Sequence, residues 1–323
     1  MPAKIKDFRK VLIDIIAGAR PNFMKIAPII NALKSKNLAN FRYRFIHTGQ
    51  HYDDNMSDSF IKQLGIPMPD INFEIKGGTH SQQTAEIMIA YEEVLNKTKS
   101  NLCIVVGDVN STMACAIVAK KMNVKVAHVE AGIRSGDLSM PEEINRIVTD
   151  SIADIFFTTT SSAGKNLKKT GVSEENIFLV GNTMIDTLLK NRKKFYSPKV
   201  WREKKLQEKK FIVLTLHRPS NVDNKRNLNL IVDQILQNVK NLPVIFPVHP
   251  RTKKQITKLK LPYENLYLID PLTYLEFNFL VEKSKVVITD SGGVTEETTY
   301  LNIPCITLRN STERPETITL GTN

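Results

Sequence analysis

Short runs of β-branched and aliphatic residues alternate with longer amphipathic stretches along almost the whole chain. That alternation is the strongest constraint on its fold. Parallel strands must be joined by crossovers of a dozen or more residues, so strand-sized and helix-sized patterns in succession predict βαβ units and parallel sheets. Strands are expected at 11–17, 43–48, 102–106, 124–129, 155–159 and 177–180, and helical spacing covers 22–36, 82–96, 111–122, 142–152 and 161–169. After Gly181 a helix at 184–194 leads into 197–210, a charged, Pro-containing stretch where periodicity fades and which reads as a linker. The pattern restarts with strands at 211–216, 244–248, 266–269, 286–289 and 305–308, separated by helices such as 228–239 and 274–283. A chain of 323 residues exceeds what one core serves. Two doubly wound α/β domains are therefore expected, at 1–181 and 182–323, facing each other across a cleft.

Composition removes several classes of function. With 41% apolar and 24% charged residues the chain belongs with ordinary globular proteins. No apolar run approaches the roughly 20 residues of a membrane span. The stretch 11–19 is broken by Asp14 and followed by Arg20 and Pro21, wrong for a signal peptide and right for a buried strand. Cys103, Cys115 and Cys305 have neither zinc spacing nor an obvious pairing, as expected of reduced residues in a cytoplasmic protein. The formal charge of +12 suits an anionic partner. Its lysines, among them Lys204, Lys205, Lys209, Lys210, Lys253, Lys254, Lys258 and Lys260, lack interleaved aromatics or a nucleic-acid module and read as a solvated surface. Neither nucleic acid nor membrane is expected as a partner.

Doubly wound sheets bind ligands beyond the carboxyl ends of their strands, so chemistry is sought there. The first strand runs into Gly18-Ala19-Arg20-Pro21-Asn22-Phe23-Met24-Lys25, where Gly18 permits a tight turn and Arg20 and Lys25 would face an anion at a helix N-terminus. A surface Arg and Lys beside a turn is the plain alternative. The segment is neither G-x-G-x-x-G nor a P-loop. Near the other end, Asp290-Ser291-Gly292-Gly293 joins a strand to a helix whose amides can cradle a diphosphate, and Glu297 could accept from ribose hydroxyls. Asp290 reads as a cap or turn residue. Carboxylates follow two central strands, at Asp108 and Glu130, and Glu142 comes soon after with Arg146. Such a cluster suits proton transfer, although Asp108 or Glu142 alone would read as a helix-start acid. Glu130 closes an apolar strand, where a charge must be satisfied. His217 with Arg218 is the better ligand contact of the two strand-end histidines, whereas His249 reads as structural. No residue set has metal-ligand spacing, and no cofactor is expected.

GARPNFMKIAP, HTGQHYD, GDVNST, HVEAGIRS, MPEEINR, VGNTMID, TLHRPSN, FPVHPR, TDSGGVTEE and TERPE, in this order, resemble the bacterial and archaeal UDP-N-acetylglucosamine 2-epimerases from residue 11 onward. The resemblance implies two Rossmann-like domains of GT-B type that interconvert UDP-N-acetylglucosamine and UDP-N-acetylmannosamine. The implied route is anti elimination of UDP to a 2-acetamidoglucal, then re-addition. Carried over residue by residue, the resemblance puts Arg20 and Lys25 near the diphosphate and Asp108, Glu130, Glu142 and His217 in or near catalysis. On the same basis Ser291, Gly292 and Gly293 meet phosphate, Glu297 ribose, Phe277 uracil and Arg314 the substrate side; Arg146 and Arg218 are counted with the substrate- or UDP-binding residues, and a homodimer is expected. Asn22 stands where many relatives carry Glu, and Asp53 where regulated relatives carry Gln, so a regulatory substrate site is doubtful. Gly321-Thr322-Asn323 falls short of the tail that relatives carry, so a shortened chain is expected. A hydrolysing relative, an epimerase of UDP-diacetamido-uronic acid, and a retaining GT-B glycosyltransferase are the enzymatic alternatives. A basic nucleic-acid module is the non-enzymatic one, and its affinity would fall steeply with salt.

Overall fold

The computed structural model describes residues 11–35, 40–49, 60–75, 77–248, 250–256 and 263–323. Gln50, His51, Tyr52, Asp53, His249, Lys258 and Lys260 lie outside the described residues. Contacts divide the chain into two compact units, 1–187 and 188–323, the change falling inside the helix Thr183–Arg192.

In the first unit the described residues form a seven-stranded sheet: β1 (Val11–Ala17), β2 (Phe41–His47), β3 (Ile71–Asn72), β4 (Leu102–Val106), β5 (Lys125–Val129), β6 (Ile155–Thr158) and β7 (Ile177–Leu179). Their spatial order is β3-β2-β1-β4-β5-β6-β7 and every pairing is parallel. Chain direction across the sheet reverses between β1 and β4, so the loops leaving those strands diverge and open a crevice beyond their carboxyl ends. The two-residue β3 is too short to carry a periodic signal and was not among the expected strands. The helices His80–Lys97, Asn110–Lys121 and Pro141–Ile152 lie between strands, and a core of Ile87, Tyr91, Leu95, Val105, Cys115 and Val126 is sealed beneath them.

Two residues that break the local pattern here are compensated by partners distant in the chain. Asp14 is fully buried on β1, where its register neighbour on β2 is Arg44. The guanidinium binds it with two parallel contacts of 2.8 Å, and the Tyr91 hydroxyl donates to it at 2.9 Å. Burial of the charge is tolerable because its lone pairs are filled. Pro28 sits inside the helix Arg20–Ser35 and has no N–H to offer the carbonyl of Met24 one turn back. The Thr187 hydroxyl donates to that carbonyl instead, at 2.7 Å.

The second unit repeats the plan with β8 (Ile212–Thr215), β9 (Val244–Pro247), β10 (Leu266–Ile269), β11 (Val286–Thr289) and β12 (Cys305–Thr307). The order β10-β9-β8-β11-β12 is again parallel throughout, with its reversal between β8 and β11. The linker expected at 197–210 is not one. It carries a short helix, Lys199–Glu203, buries Val200 and Leu206, and sets Trp201 edge-on against Phe211 and Phe279 with centroids 5.8 and 5.1 Å apart. A single aromatic anchor gives no periodicity to read, which is why the segment passes for a spacer.

Cys103, Cys115 and Cys305 are free thiols in buried positions, and burial pushes each thiol up from its ordinary range. Among the described residues no helix is long and apolar enough to cross a membrane, and no group of three or more His, Cys, Asp or Glu side chains could hold a metal ion.

Candidate active site

At the reversal point of the first unit, Asn22 joins the two diverging loops. Its Oδ1 accepts from the Gly18 and Ala19 amides at 3.0 and 2.8 Å, and its Nδ2 donates to the Val106 carbonyl at 3.2 Å. A Glu at this position would have no donor for the Val106 carbonyl. Lys25, on the same helix and almost buried, forms an ion pair with Glu130. Its ammonium lies over Gly107, where a Cβ would come within 2.8 Å of it and where φ is +67°. Only glycine combines that backbone with that proximity. Arg20 stacks its guanidinium over Phe60, 4.9 Å from the ring centroid.

Glu130 itself has φ +72°. The left-handed region costs a side-chain-bearing residue on the order of 1 kcal/mol and is held only where surroundings dictate it. Here Glu130 and Ala131 both donate their amides to the Phe157 carbonyl, at 2.9 and 3.1 Å. The turn aims the carboxylate back at Lys25 instead of along the strand. Asp108 follows Gly107 and pairs with Arg146 at 2.5 Å, while its backbone carbonyl accepts from Asn145 at 2.8 Å.

The helix Pro141–Ile152 supplies an unusual polar face, with Glu143, Asn145, Arg146, Thr149 and Asp150 all buried. Glu143 accepts from the Ser135 and Gly136 amides and from Arg146. Burial alone would raise its carboxyl, but the Ser135 amide, Arg146 and the Gly136 amide hold it below the usual range. Arg146 thus sits between Glu143 and Asp108, 4% exposed, an inward-facing bridge where a substrate contact was expected. Glu142 is half-buried in the first turn of the same helix, beside this network.

In the second unit Asp290 is fully buried and ties the loop after β8 to the end of β11. It accepts from the amides of His217 and Arg218, from Asn221, and from His217 Nδ1 at 2.8 Å. Burial works to raise this carboxyl, yet His217, Arg218 and Asn221 hold it low. Of the cap or turn role expected of Asp290, the cap is not made: the helix Gly292–Tyr300 has no side-chain cap, and Asp290 accepts from the neighbouring loop. The first amides of that helix are therefore not consumed by a side chain, and Ser291, Gly292 and Gly293 stand half-buried around them. Arg218 donates through Nε to the Asp290 carbonyl at 3.0 Å. Arg309 pairs with Glu313 at 2.6 Å and lies 3.5 Å from where a Gly292 Cβ would stand.

Glu297 is buried one turn further on and accepts from the Tyr274 hydroxyl at 3.0 Å. Burial, with the Glu296 charge adding and the Tyr274 bond opposing, pushes its carboxyl up to about 7. Arg314 is also buried and donates through Nε to Glu296 at 2.6 Å. Phe277 is half-buried on the helix Tyr274–Lys283.

The structure thus brings Lys25, Glu130, Asp108 and Arg146 together in the first unit, and His217, Arg218, Ser291, Gly292 and Gly293 together in the second. Sequence reasoning missed His128, Asp150, Glu143 and Arg309. Asp150 is 22 residues from its partner His128 and shares only a helical face with Arg146. The one available signal was a helix that places charges at Glu143, Arg146 and Asp150, the spacing of a single face.

A family model described as UDP-N-acetylglucosamine 2-epimerase matches residues 31–323. The UDP-N-acetylglucosamine 2-epimerase of Methanocaldococcus jannaschii is 43% identical over 321 residues, 96% of this chain and 87% of its own length. A UDP-2,3-diacetamido-2,3-dideoxy-D-glucuronate 2-epimerase of Pseudomonas aeruginosa is 42% identical over 312 residues, covering 95% and 86%. The crystal structure of the M. jannaschii UDP-GlcNAc 2-epimerase in complex with UDP-GlcNAc and UDP superposes with a TM-score of 0.88 at 42% identity, covering 97% of this chain and 88% of that one.

Proposed function

The chain belongs to the UDP-N-acetylglucosamine 2-epimerase family, and from that premise we propose that it interconverts UDP-N-acetylglucosamine and UDP-N-acetylmannosamine by eliminating and re-adding UDP. The C2 proton of the hexose is not adjacent to a carbonyl, so its removal has to be coupled to breaking the C1–O bond. A carboxylate takes the proton, the electron pair forms the C1–C2 double bond, and UDP leaves as an anion. UDP then returns to C1 while a proton is delivered to the opposite face of C2.

The observation that carries this reading is the acid pair at the reversal point of the first unit: Glu130, forced into a left-handed turn against Lys25, and Asp108, set on Arg146. Glu130 and Asp108 are assigned the proton transfers and Glu142 an orienting or acid role. Arg20 and Lys25 supply positive charge for the departing diphosphate. On the second unit, the amides at Gly292 and Gly293, with the Ser291 side chain and Arg218, suit a diphosphate. His217, turned by Asp290, is assigned to the leaving oxygen. Glu297 is assigned to ribose, Phe277 to uracil and Arg314 to the substrate side.

Turnover in deuterated water is the test. The product should carry deuterium at C2, Asp108→Ala and Glu130→Ala should each lose at least about 100-fold in turnover while keeping UDP affinity, and Arg20→Ala should weaken both. Protium retained at C2 would refute the elimination route. Accumulation of free N-acetylmannosamine would indicate the hydrolysing chemistry. A second substrate is favoured by one observation, the 42% identity to the diacetamido-uronate enzyme, which nearly equals the 43% to the UDP-N-acetylglucosamine enzyme. Comparing kcat/KM for the two nucleotide sugars decides between them.

A further inference from the structure

His128 lies on β5 two residues before Glu130 and is fully buried, with both ring nitrogens engaged. Nδ1 faces Asp150 Oδ1 at 2.6 Å and Nε2 faces the Gly107 carbonyl at 2.8 Å. A carbonyl only accepts. Nε2 must therefore carry hydrogen and donate to the Gly107 carbonyl, while Asp150, its carboxyl held below the usual range by His128 and Arg134 against the effect of burial, stands against Nδ1. Asp150 is anchored in turn: its Oδ2 accepts from the Gly132 amide at 3.0 Å and from Arg134 Nη1 at 2.6 Å.

The consequence falls on Gly107. Its amide donates to the Val129 carbonyl at 3.0 Å, and its carbonyl is taken by His128, so both of its peptide groups are fixed to β5. Gly107 has φ +67°, a residue type and conformation that would otherwise leave the next residue loosely aimed. That next residue is Asp108. The other end of the chain of contacts, Asp150 to Gly132, fixes the segment immediately after Glu130. One buried ring thus sets the spacing of the two carboxylates assigned to proton transfer. An apolar pair of the same volume would seal the junction between β5 and the helix Pro141–Ile152 at no greater cost in stability. Keeping a ring bonded at both nitrogens there has a use only if the direction of the Gly107 carbonyl matters.

We propose that His128, backed by Asp150 and Arg134, is a positioning residue that clamps the Gly107 carbonyl and so holds Asp108 at its working distance from Glu130. The proposal rests on the assignment of Asp108 and Glu130 to proton transfer. Asparagine places its amide nitrogen where Nδ1 stands and glutamine where Nε2 stands, which separates the two ends of the clamp. His128→Asn, which keeps Asp150 but releases Gly107, should lower kcat about 10–100-fold, with KM and UDP affinity within about twofold of the parent. His128→Gln, which keeps Gly107 and gives up Asp150, should stay within about threefold of the parent kcat, at a melting temperature close to that of His128→Asn. Equal turnover by the two variants, or losses that follow only their melting temperatures, would overturn the clamp.

Should either variant fail to fold, the unaltered protein supplies its own measurement. Histidine-selective ¹⁵N spectra should show one ring with a slowly exchanging Nε2–H proton, and absence of such a ring would overturn the proposal. If Asp108→Ala and Glu130→Ala leave turnover intact, the functional assignment fails, whatever His128 does. If they abolish turnover and His128→Asn does not lower it, the clamp alone fails.

Discussion

Glu297 has a carboxyl that the fold removes from water and sets beside Tyr274, Glu296 and Asn278. Its value of about 7 lies above the ordinary 4.5, so the folded state holds this proton more tightly than the unfolded chain does. The stabilising effect is fully present below the ordinary value and is lost as pH rises through the folded one. Denaturant unfolding of the protein and of Glu297→Gln at pH 5 and pH 8 should therefore show the parent losing more stability over that interval, by up to about 3 kcal/mol. Parallel pH slopes would count against a buried carboxyl at this position. Asp150 and Asp290 act in the opposite sense, because donors around them hold their carboxyls low. Their contributions disappear on acidification, so the comparison between parent and variant isolates Glu297 from them.

Among the elements, the helix Arg20–Ser35 keeps a proline in its interior and borrows a hydroxyl from the helix Thr183–Arg192 for the carbonyl left over. Thr187→Val should cost about 1–2 kcal/mol, since a buried carbonyl is left unpaired. Pro28→Ala restores the missing amide, so adding Thr187→Val to it should cost much less. A double-mutant cycle by denaturant melts reads that coupling directly, and strict additivity would disprove it. Elements of this kind were readable from the sequence wherever they depend on local period: β4, β10, β11 and the helices Ser161–Lys169 and Tyr274–Lys283 have the limits that alternation and spacing predicted. What escaped was decided between distant side chains. Asp14 looked like an interruption until β2 brought Arg44 beside it, and Asp290 looked like a cap or turn residue until the loop after β8 arrived with four donors. In the candidate site the strand-end acids were legible as chemistry out of place. Their supports, His128 and Asp150, were not, because a polar residue on a buried face announces nothing about which partner the fold will bring.

At the scale of the molecule, two parallel sheets with separate cores stand in one chain, and each uses a single polar side chain to bind the loops at its reversal point: Asn22 in the first unit, Asp290 in the second. Two cores imply that unfolding need not be a single transition. Trp201 is the sole tryptophan and packs within the second unit, so its fluorescence follows that unit while far-ultraviolet circular dichroism follows both. Tyr91→Ala removes a fully buried ring from the first core and should cost about 3–5 kcal/mol there. Its dichroism midpoint should fall while the fluorescence midpoint stays within error of the parent. A matching shift in both signals would mean that the units melt together.

The sealed thiols have a practical corollary. Because Cys103, Cys115 and Cys305 are buried and reluctant to ionise, the native protein should be nearly silent toward maleimides. One surface cysteine engineered into each unit would then accept a dye pair without removing any natural cysteine, and energy transfer could follow the two halves through turnover.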